Sequence, residues 1–338
     1  MITVSSYPIA VAMCVITMIC WGSWGNTQKL ASKSWKFQLF YWDYTIGILL
    51  FSLLLAFTAG SFGEGGRSFV DDLSQADSQW LLSALIGGAV FNLSNILLVI
   101  AIDIAGLAVA FPVGIGLALV LGVITTYAAR PEGDPIMLGA GVAFICAAIV
   151  LDALAFRRLG AGGSTAKGIF VSALAGVLMG FFYSFVAESM GKIDMTTDVA
   201  VLESGRLSPY TAMVVFALGI FVSNFVFNTL AMKFPVGGGK SVSYAQYFTD
   251  GSAKLHLVGI LGGSIWCLGT SFSFISANAA GAALAYGLGQ GATMVSALWG
   301  VFVWREFRGA PKGTNKLLAL MFACFVVGLS ILVFSKAA

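Results

Sequence analysis

The chain has 338 residues, of which 59% are hydrophobic and 10% are charged, and its mean hydropathy is +0.93. These values exclude a soluble globular domain of this length and indicate a protein that lies in a lipid bilayer. The formal net charge of +3 is small, and it gives no reason to expect a nucleic-acid partner.

Apolar runs of about 20 residues recur along the whole chain, each long enough to cross the hydrocarbon core as a helix. The sequence therefore predicts an all-α integral membrane protein with about ten transmembrane helices. The predicted spans are 7–30, 37–59, 80–103, 107–128, 136–156, 167–190, 209–232, 256–279, 282–304 and 315–335.

Lys and Arg residues are concentrated on one side of these spans. Loops after odd-numbered spans hold about thirteen of them and the other side holds about five, which by the positive-inside rule places the odd loops in the cytoplasm. Both termini are then predicted outside a multi-pass inner or plasma membrane, and the first span, which lacks cleavage features, is predicted to be retained.

An internal repeat runs from Gly87–Val120 to Gly262–Val295 without a gap, at a constant offset of 175 positions. The predicted halves, 1–160 and 161–338, contain five spans each, so the second half is expected to be inverted relative to the first. Two inverted five-helix repeats are the ground plan of many secondary transporters, which place the substrate site between the halves.

The first span carries the densest group of polar and aromatic side chains. Trp21 and Trp24 lie three residues apart on one helix face, and the amides of Asn26 and Gln28 follow, so this face is suited to stack a flat solute. The alternative is a tryptophan pair that anchors the helix at the membrane interface, with Lys29 reaching the cytoplasm.

Further binding candidates lie at related positions of the two repeats. Phe91, Asn92 and Asn95 in the third span have Trp266, Cys267 and Thr270 as their repeat partners in the eighth, so both copies pair an aromatic residue with a polar one. The alternative is that these polar residues bond to their own helix or join helices structurally. Phe111 precedes a Pro and Gly cluster in the fourth span, and Tyr286 and Gln290 lie in the matching glycine-rich segment, where dense packing is the alternative. Tyr183 of the sixth span completes the predicted set.

Two acids are candidates for proton coupling, which requires a carboxyl group removed from water. Glu188 lies in an apolar helix without a basic residue nearby in sequence. Asp43 lies near Lys33 and Lys36, so a surface ion pair with these or with Lys29 is its alternative role, and the single histidine, His256, is expected to be an interfacial residue.

No cofactor, metal site or catalytic set is expected. The five cysteines have no paired spacing, and Gly237–Ser241 lacks the earlier glycine of a phosphate-binding loop because position 234 is Phe. One histidine and no clustered acids argue against an enzyme, so a proton gradient is the expected driving force.

Four segments resemble the plant ureide permeases and their bacterial relatives, in the drug/metabolite transporter superfamily that also holds the bacterial glucose/ribose porters. These segments are 20–29, 40–44, 111–119 and 276–307. The resemblance implies ten helices and proton-coupled import of allantoin, uracil and related oxo-heterocycles, but the short connection at 160–164 departs from the long central loop of the plant members.

The combined expectation is a secondary active transporter that imports a small neutral polar solute of the ureide or nucleobase class by alternating access. A sugar porter of the glucose/ribose type is the alternative, because a pyranose also stacks on indole and bonds to amides. Apart from the solute and the bilayer no partner is required, and the protein is expected to be a monomer or a homodimer.

Overall fold

The computed structural model describes residues 1–31, 35–63, 65–160, 166–194, 201–235 and 240–336, without the side chains of Leu107, Ala108 and Phe111. Most of the described residues lie in helices, and two strands of two residues each form one small hairpin. The helices are α1 (Tyr7–Ser23), α2 (Gly25–Ala31), α3 (Phe37–Phe57), α4 (Phe69–Gln75), α5 (Ser78–Ala105), α6 (Leu107–Ala110), α7 (Gly116–Ala129), α8 (Pro135–Arg157), α9 (Ala166–Ser189), α10 (Pro209–Lys233), α11 (Tyr244–Thr249), α12 (Ala253–Ala280), α13 (Ala282–Gly289), α14 (Ala292–Leu298) and α15 (Thr314–Phe334). The strands β1 (Ile193–Asp194) and β2 (Val201–Leu202) pair antiparallel.

The all-α membrane fold predicted from composition is confirmed. Within the described residues, nine helical stretches are long and apolar enough to cross a membrane. The predicted span 282–304 is instead divided into α13, α14 and a π-helical turn at Trp299–Val303. Its break falls at Gln290 and Gly291, where the sequence has the glycine cluster that loosens a helix.

The repeat extends beyond the matched sequence to the helix boundaries. α5 and α12 both have 28 residues, and each boundary of α12 lies 175 positions after that of α5. The short helices α4 and α11 precede them, and their N-caps, Ser68 and Ser243, each accept a hydrogen bond from the backbone N–H three residues on. The same local chemistry therefore starts both copies.

Two close helix crossings hold the bundle together at related positions. A Cβ on Gly263 of α12 would lie 1.9 Å from the Tyr44 carbonyl oxygen of α3, and one on Gly88 of α5 would lie 2.1 Å from the Phe216 oxygen of α10. Only glycine permits these approaches, which explains part of the high glycine content. The inverted arrangement and the division at residue 160 remain predictions, since 161–165 lies outside the described residues.

The loops at one end of the bundle carry most of the basic residues, and we call this the basic end. Contacts bring these loops together: Lys29 pairs with Glu306, Lys36 donates to the Lys240 carbonyl and Arg158 donates to the Lys312 carbonyl. α3, α9, α12 and α15 begin there. α4, the β1–β2 hairpin and the start of α10 lie at the opposite end, where they meet around Arg67.

Candidate functional site

A central cavity of about 340 Å³ lies between the helices and extends from the middle of the bundle toward the basic end. It is mainly apolar, and every side chain in its lining is uncharged. Its lining consists of Trp21, Trp24, Gly25, Gln28, Phe91, Asn95, Leu98, Val99, Ile102, Ile115, Met179, Phe182, Trp266, Gln290, Ala292, Thr293 and Ser296.

Aromatic rings form one wall of this cavity. The rings of Trp21 and Trp266 are stacked, with centroids 6.3 Å apart and planes 12° from parallel, and Phe91 lies 4.5 Å from Trp266. The Trp21 indole N–H donates to Thr270 Oγ1 at 2.9 Å, which fixes the orientation of that ring. The wall is therefore built from rigid, flat surfaces before any ligand enters.

Amide groups provide the polar part of the lining. Asn95 donates from Nδ2 to the Tyr41 hydroxyl at 3.1 Å. The side-chain amides of Gln28 and Gln290 have no hydrogen-bond partner within the described part of the chain, and Gln290 is only 9% exposed. Two amides with both donor and acceptor capacity are thus available to a ligand.

The structure brings half of the predicted substrate-binding residues to this cavity. The six that line it are Trp21, Trp24, Gln28, Asn95, Trp266 and Gln290. Thr270 lies behind Trp21 as its hydrogen-bond acceptor. The side chain of Phe111 lies outside the described residues.

Four predicted residues make structural contacts away from the cavity lining. Asn26 accepts a 2.6 Å hydrogen bond from the Trp304 indole, and Asn92 donates to Ser223 Oγ at 2.9 Å. Tyr183 bonds to Ser273 Oγ at 2.9 Å, and Tyr286 donates to the Ala118 carbonyl at 3.0 Å. These contacts join helices, which is the alternative role that polar residues in membrane spans have.

Sequence reasoning missed two polar lining residues on the broken segment, Thr293 and Ser296. They follow Gln290 at intervals of three residues, so helical spacing from Gln290 was the signal that would have found them. The apolar lining residues Met179 and Phe182 carried no such signal, since apolar residues fill every face of α9.

Asp43 does not form the surface ion pair expected as its alternative role. Its side chain is buried and contacts His256, whose Nδ1 lies 2.9 Å from Oδ2, and Tyr247, whose hydroxyl donates to Oδ1 at 2.5 Å. Lys29 pairs with Glu306 and Lys36 with a backbone carbonyl, while Lys33 lies outside the described residues. The expectation that His256 is only interfacial is likewise incomplete.

Glu188 lies far from the central cavity, in the lining of a wide, polar hollow at the opposite end. Its side chain is exposed and its backbone carbonyl accepts a hydrogen bond from Arg206. Arg130 and Lys192 line the same hollow, so this acid lies near basic groups. Lys192 follows Glu188 by only four residues, which corrects the expectation that no basic residue is near it in sequence. Within the described ranges, no cluster of three or more His, Cys, Asp or Glu residues could hold a metal ion.

Comparison with known proteins gives three consistent results. The sequence profile of the ureide permeases matches residues 154–335. Ureide permease 1 of Arabidopsis thaliana is 24% identical to this chain, with 97% of each chain covered, and ureide permease 2 of the same plant is 23% identical with the same coverage. A crystal structure of a protein without a named function superposes with a TM-score of 0.64 at 16% identity, covering 98% of this chain and 99% of that one, which shows a shared fold.

Proposed function

This chain belongs to the ureide permease family, and we propose that it is a secondary transporter that imports ureides or related neutral oxo-heterocycles across the inner or plasma membrane. The family relatives are named permeases rather than enzymes. A proton gradient is the proposed driving force.

The observation that carries the proposal is the composition of the cavity wall. Stacked indole rings lie beside the amides of Gln28 and Gln290, and among the described residues these amides have no partner and no charged side chain lines the space. A flat ring with alternating N–H and C=O groups would cover the indoles and satisfy the amides. A charged solute would lose its hydration without a compensating partner, so the wall favours a neutral one.

The shape of the cavity supports transport by alternating access. Between the cavity and the opposite end, the helices are held together by the Tyr183–Ser273 bond and by the contact of Cys14 with Ser276. The cavity extends toward the basic end, which the positive-inside rule assigns to the cytoplasm. We therefore assign this conformation to the inward-facing half of a cycle in which the two repeats exchange their arrangements.

The test is the thermal stability of the purified protein with a panel of solutes, because a ligand that binds only the folded state raises the melting temperature. The oxo-heterocycles are allantoin, uracil, xanthine and hypoxanthine, and the sugars are glucose, ribose and rhamnose. We expect the oxo-heterocycles alone to stabilise the protein. The stabilisation should be lost in Gln290→Ala and kept in Gln38→Ala, whose side chain lies outside the cavity lining.

A response to sugars alone would assign the chain to the porter type instead. A panel without any response, repeated with tryptophan fluorescence as a second readout to which Trp21 and Trp24 contribute among eight tryptophans, would contradict the proposal. Loss of stabilisation in both glutamine variants would show that the assay measures folding rather than the site.

A further inference from the structure

Three side chains from three separate elements meet at the basic end, and we call them the Asp43 cluster: Asp43 of α3, Tyr247 of α11 and His256 of α12. His256 Nδ1 lies 3.0 and 2.9 Å from the two carboxylate oxygens, and the Tyr247 hydroxyl donates to one of them. The Asp43 side chain is 2% exposed, whereas that of His256 is 26% exposed. His256 therefore lies between the buried carboxylate and the surface of the basic end.

The neighbouring elements place neutral groups around Asp43 and His256. α10 faces α3 with the neutral amides of Asn224 and Asn228, which bond to Thr45 and to the Gln38 carbonyl. α2 presents Thr27 to α12. Trp35 covers His256 with its ring edge, at 5.1 Å between centroids. In the described part of the chain, the charge of Asp43 is thus met by one ionisable cation, the imidazole.

The cluster has no counterpart in the other repeat. At the offset of 175 positions, His256 corresponds to Leu81 and Tyr247 corresponds to Asp72. Asp72 is completely buried and pairs with Arg67, at 2.9 Å between Nη2 and Oδ1. Arginine keeps its charge at every physiological pH, whereas histidine is the side chain that gains or loses a proton there. We call the contacts that hold the two short helices joints, and of these two joints in the described structure the one at the basic end is the titratable one.

The cluster is also joined to the central cavity through α3. Tyr44 follows Asp43 in the chain, and its ring lies 4.7 Å from that of Trp24 in the cavity wall. Tyr41, on the preceding turn, accepts the hydrogen bond of Asn95. A shift of the first turns of α3 would therefore move two groups that support the binding site.

We propose that Asp43, His256 and Tyr247 form the proton-binding site that couples this transporter to the proton gradient. In the outward-facing state one proton neutralises the Asp43 carboxylate, which weakens the charge-assisted bonds to Tyr247 and His256 and releases the start of α3. In the inward-facing state the same proton leaves through His256 to the basic end, so it crosses the membrane in the direction of the imported solute and the bonds to Tyr247 and His256 form again. No bond between heavy atoms changes. This inference rests on the proposed transport function.

The first test uses proteoliposomes and radiolabelled allantoin in two assays: accumulation driven by an imposed pH gradient, and exchange at equal pH on both sides. We expect Asp43→Asn to lower accumulation by about tenfold or more while exchange stays near the wild-type rate. His256→Gln should flatten the pH dependence of accumulation and keep exchange. Asp103→Asn is the matched control, because Asp103 is an exposed acid near the end of α5 that lies at the basic end. It should leave both assays unchanged.

A second test does not depend on finding the solute. His256 is the single histidine, so protein labelled with ¹⁵N-histidine and purified without a histidine tag gives ring signals from this residue alone. At pH 7.5 we expect these signals to differ between wild type and Asp43→Asn, because the Asp43 carboxylate contacts Nδ1, and to be unchanged in Asp103→Asn. Tyr247→Phe should give a smaller change than Asp43→Asn.

The two tests separate failure of this inference from failure of the proposed function. Full gradient-driven accumulation by Asp43→Asn, or identical His256 ring signals in wild type and Asp43→Asn, would overturn the proton site. If allantoin is neither bound nor transported, the solute proposal fails in the thermal panel, and the histidine signals still decide whether Asp43 and His256 form the proposed pair. Should Asp43→Asn not fold, His256→Gln decides the accumulation assay.

Discussion

The two short helices that precede α5 and α12 lie at opposite ends of the bundle and are fastened by different chemistry. α4 is held by Asp72, which pairs with Arg67 and accepts the backbone N–H of Ser208 at 2.7 Å. α11 is held by Tyr247, which donates to Asp43 of α3 beside His256. Each short helix is thus tied to the beginning of a long helix, α10 in one case and α3 in the other.

The difference shows how the same repeated fold can hold one short helix by a permanent joint, at Asp72, and the other by a joint that depends on protonation, at Asp43. Arg67 also donates to the carbonyls of Leu202, Glu203 and Arg206 at 3.0 Å each, so its charge is satisfied from several directions. Such a network stays intact over the physiological pH range. A joint built on tyrosine, histidine and aspartate instead depends on where one proton lies.

The largest loss of stability is expected from breaking the permanent joint, the ion pair of Asp72 with Arg67. Asp72→Ala leaves the Arg67 guanidinium without its buried partner, which costs about 3–5 kcal/mol when one member of such a pair is removed. We expect a large loss of stability in a denaturant titration in mild detergent, equal at pH 5.5 and pH 8. Asp71→Ala, on the exposed side of the same helix, is the control and should change stability by less than about 0.5 kcal/mol. Equal losses in both variants would contradict the assigned role of Asp72.

The second prediction concerns the close helix crossings that both repeats have. Gly263→Ala and Gly88→Ala each place a methyl group against a backbone carbonyl, Tyr44 in one case and Phe216 in the other. Overpacking of this kind costs about 1–3 kcal/mol, so both variants should melt at clearly lower temperatures and to a similar degree. Gly116→Ala, which has no neighbouring atom within 4 Å of the added carbon, should melt like the wild type. A loss confined to one crossing would show that the copies are not equivalent.

The third prediction uses Tyr247, which lies outside the membrane-spanning segments. Burial and the Asp43 carboxylate raise the pKa of Tyr247 above its ordinary value. From pH 7.5 up to the unfolded pKa of about 10 its hydrogen bond should therefore stabilise the fold, and the contribution should fall as the pH rises from there toward the folded pKa. We expect Tyr247→Phe to lose about 1 kcal/mol at pH 7.5, measured against wild type by thermal melts up to pH 10.5.

Tyr244→Phe serves as the control in that series, because its hydroxyl contacts Thr229 on the exposed surface. At pH 7.5 it should give a smaller loss than Tyr247→Phe. A constant difference between wild type and Tyr247→Phe across the alkaline range would argue against the hydrogen bond to Asp43.

The smallest effect is a local change in mobility. Hydrogen exchange, corrected for intrinsic rates, should show the amides of α11 opening more readily at pH 5.5 than at pH 7.5, while those of α4 keep the same protection. His256→Gln should remove the pH dependence at α11. Equal behaviour of the two short helices would mean that the joints do not differ in the way their side chains suggest.

Much of the architecture could be predicted because membrane helices leave strong local signals. Apolar length located the spans, and the gapless repeat located α5, α12 and the breaks after them, where Gly106 and Gly281 have φ angles of 73° and 93°. The cavity was predicted only in part, since Asn95 and Asn92 look alike in sequence and only one of them faces it. Which side of a uniformly apolar helix faces a cavity depends on neighbours that are distant in the chain.

The sequence by itself determined the class of protein, its family, the repeat and the uncharged, aromatic and amide-rich character of its site. Those properties depend on composition and local spacing, which the order of residues contains directly. The tertiary structure decided which partner Asp43 takes, because His256 lies 213 positions away and only the crossing of α3 with α12 brings the two together. Lys29 and Lys36 lie much nearer to Asp43 in sequence, but in the folded chain they contact Glu306 and the Lys240 carbonyl.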